Sequence, residues 1–244
     1  FAAIIGVKHV LKAPYDVLQK NFILLDNCLS FAKRQKNLKR FIFASTSEVY
    51  AGTLKNYGLK FPTSERTLLS IDSLSKERTS YMLSKIYGEA MCHNSEIPIT
   101  IIRPHNFYGP RMGMSHVIPE LMCRVFETNS DTIDVYSVNH MRSFCFITDA
   151  VNMICMLAES EDAEGECYNI GDSTEEIKME VLAKKIINLF GKALTVNPLP
   201  ETPGSPSRRL PDISKMNKVI SYKKKFSIDQ GLTKTYNWYK KNIF

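Results

Sequence analysis

Two short apolar runs constrain this chain more than anything else in it: residues 38–44 (LKRFIFA) and residues 99–103 (ITIIR). Both are nearly continuous rather than alternating, which is the pattern of strands covered on both faces of a parallel sheet. Each follows a helical pattern, residues 15–34 before the first and 80–93 before the second. Helices alternating with strands predict an α/β fold, a parallel sheet with crossover helices. Ligands of such sheets collect at the carboxyl ends of the strands. Residues 45–52 and 104–113 are therefore the segments where chemistry is expected.

Past Met114 the texture changes. Residues 118–126 predict a short amphipathic helix, 132–136 a short strand, and 148–158 and 181–190 two further helices. Residues 197–211, rich in Pro and Ser, read as a loop, and 227–241 as a closing helix whose Trp238 faces the core. This half predicts a smaller mixed α/β lobe without internal repeats.

Composition excludes several classes. With 244 residues, 44% hydrophobic and 23% charged, the chain is neither disordered nor collagenous. No apolar run approaches the roughly 20 residues a bilayer span needs. The apolar start has no basic region ahead of it, so it reads as a buried strand end rather than a signal peptide. The net charge is +7, and much of the basic excess lies in residues 33–40 (KRQKNLKR), 223–225 and 240–241. These clusters read as helix ends and solvated loops, with no recognition helix beside them, so nucleic acid is not an expected partner. The six cysteines show neither CxxC pairing nor metal-ligand spacing. Reduced, buried thiols in a cytoplasmic protein, with no metal and no membrane, are the expectation.

The chemistry begins with Tyr81 and Lys85, which share one face of a helix at i and i+4. An ammonium near a phenol favours the phenolate, so the pair predicts a Tyr81 pKa below its reference of about 10 and a usable general base. Alone, such a pair is common on solvated helices. Here the first strand ends in Ser45-Thr46-Ser47-Glu48-Val49-Tyr50, and the second runs into Arg103-Pro104-His105-Asn106-Phe107-Tyr108-Gly109-Pro110. Arg142-Ser143-Phe144 with Asp149, then Tyr168-Asn169-Ile170-Gly171, then Arg208 to Asp212, follow in order. His105 reads as pocket lining, Asp149 as a structural acid at a helix start, and Asn169 and Gly171 as turn formers.

Taken together these segments resemble the extended short-chain dehydrogenase/reductases that act on nucleotide sugars: epimerases, 4,6-dehydratases and UDP-glucuronate decarboxylases. The resemblance covers nearly the whole chain. It implies a Rossmann-like sheet, with residues 1–113 as the C-terminal part of an NAD-binding domain. Residues 114–244 would be mainly a nucleotide-sugar-binding lobe, with sheet-packing segments near 140–172. NAD is the implied cofactor, a nucleotide-diphosphate sugar the substrate, and a homodimer the implied assembly, with Leu29, Leu83 and Met91 as candidates for its face.

The resemblance also implies residue roles. Tyr81 would take the proton of the sugar C4 hydroxyl, Lys85 would lower its pKa and hold the nicotinamide ribose, and Thr46 would hydrogen-bond the same sugar oxygen. Ala2, Ala3, Asn21, Ser45 and Pro104 would join Tyr81 and Lys85 around NAD. Ser47, Asn106, His116, Val117, Tyr136, Arg142 and Arg209 would line the substrate, the two arginines matching a diphosphate's demand for bidentate donors. Glu48 stands where a second acid or base could direct a C4 ketone toward loss of water or of carbon dioxide, beyond simple epimerisation. A non-catalytic nucleotide sensor on the same fold is the rival reading, weakened by the presence of Thr46, Tyr81 and Lys85 together. No G-x-x-G-x-x-G or G-x-G-x-x-G occurs. The sequence accordingly reads as the C-terminal two-thirds or so of such an enzyme, expected to bind NAD poorly and to be inactive by itself.

Overall fold

The computed structural model describes residues 3–4, 7–202 and 205–244, with the backbone alone at 7–9. In chain order the elements are α1 (Val7–Lys12), α2 (Pro14–Lys33), β1 (Phe41–Ala44), a 3₁₀ turn (Ser47–Tyr50), α3 (Ala51–Tyr57), α4 (Glu77–His93) and β2 (Ile99–Pro104). Then come β3 (Phe107–Tyr108), α5 (Val117–Glu127), β4 (Thr132–Tyr136), β5 (Met141–Ser143), β6 (Cys145–Phe146), α6 (Ile147–Glu159) and β7 (Cys167–Ile170). The chain finishes with β8 (Glu176–Lys178), α7 (Met179–Leu189), β9 (Thr195–Leu199), β10 (Arg208–Arg209), α8 (Ser214–Ile220) and α9 (Ile228–Asn242). None of the described helices is long and apolar enough to cross a membrane.

The chain folds as two compact units, each built from separate stretches of sequence. The first holds residues 1–104, 153–170 and 212–222. Its centre is the all-parallel sheet β1-β2-β7, in which Phe41 lies beside Ile99 and Ile101 beside Cys167. Ile101 and Ile102 have no exposed surface, and burying each such side chain stabilises by roughly 2 kcal/mol. α2 starts with proline at its first position, where the missing N–H is harmless. It buries Val17, Asn21, Leu25, Leu29 and Ala32, one stripe at helical spacing. Asn21 is tolerated in that stripe because its side chain accepts from Ile4 N–H (2.7 Å) and donates to Ile4 C=O and Ser84 Oγ.

Gly88 sets how closely α4 lies on the sheet. A Cβ there would stand 2.5 Å from Phe43 Cζ and 3.0 Å from Leu25 Cδ2, so only glycine permits this approach.

The second unit holds residues 105–152, 171–211 and 223–244. Tyr108, Met122, Val135, Phe146, Leu182 and Tyr239 are among its core residues. β4 pairs with β9 and β3 with β6, while β5 lies between β10 and β8. Asp149 accepts from the backbone N–H groups of Lys225 and Phe226, so it is a structural acid. α9 opens with a reciprocal cap between Ser227 and Gln230.

The elements also depart from the sequence expectations in places. The stretch read as a loop, 197–211, contains most of β9 and all of β10; Pro198 misled because it sits on a strand with a single ladder partner, where a missing N–H is tolerated. Asn169 is not in a turn but inside β7. Cys28 and Cys155 are exposed, Cys92 and Cys145 buried, and all six thiols are free. Leu29 lies in the core of the first unit rather than on an open face. Trp238 is half-buried, and its neighbour Tyr239 is the true core residue.

Candidate functional site

In the first unit, Thr46, Glu48, Tyr81 and Lys85 gather where β1 ends and α4 passes it. Thr46 is extended (φ −163°) and starts the 3₁₀ turn, its Oγ1 accepting the Glu48 N–H at 3.2 Å. That bond occupies a lone pair and leaves the hydroxyl proton for Tyr81, whose phenol oxygen Thr46 hydrogen-bonds. Lys85 is 7% exposed, and its Nζ donates to Ala44 C=O at 2.7 Å while lying 5.1 Å from the centroid of the Phe43 ring.

The electrostatics correct one expectation. The Tyr81 phenol is pushed up, not down: burial is the main cause, the Thr46 bond opposes it, and the Glu48 carboxylate adds to it. Lys85 does not offset this, because its Nζ sits 5.8 Å from the Tyr81 ring centroid and is committed to the strand end. Burial instead lowers Lys85 itself to about 8, with Cys92 and Glu89 acting the other way. An i,i+4 pairing guarantees a shared helix face; it does not determine which acceptor the ammonium chooses.

The other residues expected around NAD fall in the same unit. Asn21 pins Ile4 next to Ala3, and Ser84, one residue before Lys85, receives the other Asn21 bond. Ala2 lies outside the described residues. Pro104 is the last residue of β2, beside Ile170. Ser45 is buried and donates to Glu89 Oε1 at 2.5 Å, while Ser47 is buried in the 3₁₀ turn. The donor set at this strand end, a hydroxyl, a phenol and an ammonium, fits the nicotinamide end of a dinucleotide and a sugar hydroxyl.

Sequence reasoning missed the polar network beneath these groups. Glu89 on α4 receives Arg103 from β2 side-on, through Nε at 2.9 Å and Nη2 at 2.6 Å, with both side chains under 10% exposed. Arg103 Nη1 donates to Tyr50 Oη (2.8 Å) and Glu65 C=O (3.2 Å), and Tyr50 donates to Asn169 Oδ1 (2.9 Å). Asn169 in turn donates to Thr63 C=O and Asp212 C=O through Nδ2, and to Glu65 Oε1 through its backbone N–H. The available signal was an Arg ending an otherwise apolar strand and a Glu on the buried face of α4.

The second unit carries the remaining expected residues. Asn106 adopts a left-handed backbone (φ 43°), which Asn tolerates, and donates to Ser143 C=O at 2.9 Å. His116 stands at the N-cap position of α5 without a side-chain capping bond and is exposed, and Val117 begins that helix, packed on the core. Tyr136 is 47% exposed, with the Arg124 guanidinium over its ring. Arg142 and Arg209 are register neighbours on β5 and β10. Arg142 donates to Met141 C=O, Ser205 Oγ and Pro206 C=O, and contacts His140 Nδ1 at 3.3 Å.

The family model for the NAD dependent epimerase/dehydratase family matches residues 1–171. UDP-N-acetyl-alpha-D-glucosaminuronate decarboxylase of Bacillus cytotoxicus is 31% identical over 256 residues, covering 98% of this chain and 75% of that protein. UDP-glucuronic acid decarboxylase 3 of Arabidopsis thaliana is 28% identical, covering 90% of this chain and 62% of its own length. Among solved structures, UDP-glucuronic acid 4-epimerase of Bacillus cereus, in complex with UDP-glucuronic acid and NAD, superposes with a TM-score of 0.80 at 28% identity. It covers 99% of this chain, which spans 74% of it.

Proposed function

The chain belongs to the NAD-dependent epimerase/dehydratase family, and from that premise we propose that it serves a nucleotide-sugar epimerase or dehydratase working through a 4-keto sugar. The observation that carries this reading is the Thr46–Tyr81–Lys85 cluster at the carboxyl end of β1. Tyr81 would take the proton of the sugar C4 hydroxyl once the positive charge of bound NAD+, together with that of Lys85, offsets the burial that raises its phenol. Thr46, with a lone pair occupied by Glu48 N–H, would donate to the same sugar oxygen. Lys85, desolvated and anchored at Ala44, holds positive charge beside the reacting face. Bound NAD+ supplies the acceptor for the C4 hydride. Among these 244 residues no glycine-rich dinucleotide turn occurs, so they hold NAD by its nicotinamide end, and weak binding and low turnover are expected of them alone.

Asn106, His116, Val117, Tyr136, Arg142 and Arg209 take the nucleotide diphosphate, the adjacent arginines by charge. Glu48, close enough to raise the Tyr81 pKa, is the second group at the sugar. A decarboxylase reading is favoured by the relative of 31% identity, a UDP-sugar acid decarboxylase. The two readings separate by product mass on incubation with NAD and UDP-sugars or UDP-uronic acids: unchanged mass or loss of water for the first, loss of carbon dioxide for the second. Tyr81→Phe should retain the fold and lose 10²- to 10⁴-fold in turnover, the order expected of a general base. Unaffected turnover removes Tyr81 from the mechanism.

The assembly is read as a homodimer. Tyr15, Phe22 and Ile23 on α2 and Tyr87 on α4 are exposed apolar side chains, and Phe22 and Tyr87 already touch (5.7 Å between centroids). Sedimentation velocity checks this, and a Phe22→Asp/Tyr87→Asp variant should be monomeric. Six free thiols favour a reducing, cytoplasmic setting.

A further inference from the structure

The three groups assigned above to chemistry hang on two elements that are not covalently close: Thr46 on the end of β1, Tyr81 and Lys85 on α4. Their relative placement is therefore a packing problem. Side-chain bonds between the β1 end and α4 include Lys85 to Ala44 C=O, Thr46 to Tyr81, and Ser45 to Glu89. The first two are made by the reacting groups themselves and must be free to change during turnover. Ser45–Glu89 is independent of them.

Glu89 lies one helical turn past Lys85, and its carboxylate is immobilised. Arg103 grips both oxygens side-on, and Oε1 also takes the Ser45 hydroxyl. Arg103 is fixed in turn by Tyr50 and Glu65 C=O, and Tyr50 by Asn169. The network thereby joins all three strands of the sheet to α4 directly below the Thr46–Tyr81–Lys85 cluster. A buried ion pair brings little net stability over apolar residues of similar size, which leaves its geometry as the feature to explain.

We infer that Glu89, clamped by Arg103, is a positioning residue: by tying Ser45 to α4 it holds the Ala44 carbonyl and the Thr46 hydroxyl where Lys85 and Tyr81 meet them. This rests on the catalytic reading of those three residues. Glu89 also supplies negative charge that favours the Lys85 ammonium, and Glu89 and Cys92 are the titratable groups that act on Lys85.

The test uses the full chain labelled with ¹⁵N-lysine, with the Lys85 Nζ resonance assigned through Lys85→Met. In the wild type the resonance should titrate near pH 8. Glu89→Gln leaves Arg103 buried without its partner and is prone to unfold. Glu89→Met/Arg103→Met removes both charges together and should fold. Its Lys85 midpoint should fall by about one pH unit or more. A folded double variant with the wild-type midpoint overturns the inference. Ser45→Ala cuts only the tie, leaving the ion pair, so it tests the same point should the double variant fail to fold. Its Lys85 Nζ protons should exchange about tenfold faster as local order is lost, and unchanged exchange refutes positioning. Neither readout needs turnover, so a shifted midpoint without any product indicts the catalytic reading, whereas product with unshifted midpoints indicts this one.

Discussion

Gly88→Ala is the sharpest probe of how the first unit places its reactive groups. On an exposed helix the substitution stabilises by about 1 kcal/mol, because alanine loses less backbone entropy than glycine. Here the new methyl would stand 2.5 Å from Phe43 Cζ and 3.1 Å from Cε1, against the 3.5–4.0 Å that carbon atoms prefer. Phe43 cannot yield easily, because its ring is packed among Leu25, Leu29, Cys92 and Ile101. α4 must therefore lift by about 1 Å, and overpacking of this kind costs typically 1–3 kcal/mol. The balance is a net destabilisation of about 1 kcal/mol, seen as a fall in melting temperature of about 2–4 °C for a chain of this size. The same lift would stretch the 2.7 Å Lys85–Ala44 bond beyond hydrogen-bonding reach. Scanning calorimetry gives the first number, and the Lys85 Nζ chemical shift reports the second. A variant that melts higher than the wild type with an unaltered Lys85 signal refutes the close-packing argument.

Three further predictions follow the same logic. Lys85 titrates near 8 in the folded chain against 10.5 ordinarily, so between those pH values the unfolded chain binds more protons. Stability should then rise with pH across that window, by up to about 3 kcal/mol, and calorimetry on Lys85→Met should show the rise abolished. Asn169→Leu strands the Thr63 and Asp212 carbonyls and removes the Tyr50 acceptor, which should cost about 3 kcal/mol in urea unfolding. Ser227→Ala removes the α9 cap and should cost about 1 kcal/mol, with α9 amides alone gaining hydrogen exchange.

What could be read from the sequence was whatever rests on periodicity. Residues 99–103 could hardly be anything but a central strand, and the stripe from Val17 to Ala32 anchors α2 regardless of context. The coincidence of Tyr81 and Lys85 on one face was equally secure. What escaped depends on partners far along the chain. β7 is four residues long with a polar Asn in its middle, tolerated there because Asn169 finds Tyr50, Thr63 and Asp212. α3 is seven residues long, and Thr53, which ties it to Leu68 C=O, has no local signature. The direction of the Tyr81 shift escaped for the same reason, since it hangs on burial and on where Lys85 points.

The discontinuity of the first unit has a consequence for its biogenesis. β2 ends at Pro104, yet its second neighbour, β7, begins at Cys167, and α8 of the same unit ends at Ile220. A chain emerging from the ribosome presents β1 and β2 long before the strand that covers the far side of β2 has been synthesised. Until then, Ile101 and Ile102 lie on a ladder with one edge open, and Arg103 and Tyr50 wait for Asn169. Nascent chains arrested near residue 150 should therefore be chaperone clients and protease-sensitive. Resistance should appear in one step once residues up to about 220 have cleared the exit tunnel, making completion of the sheet a late, all-or-none event in synthesis.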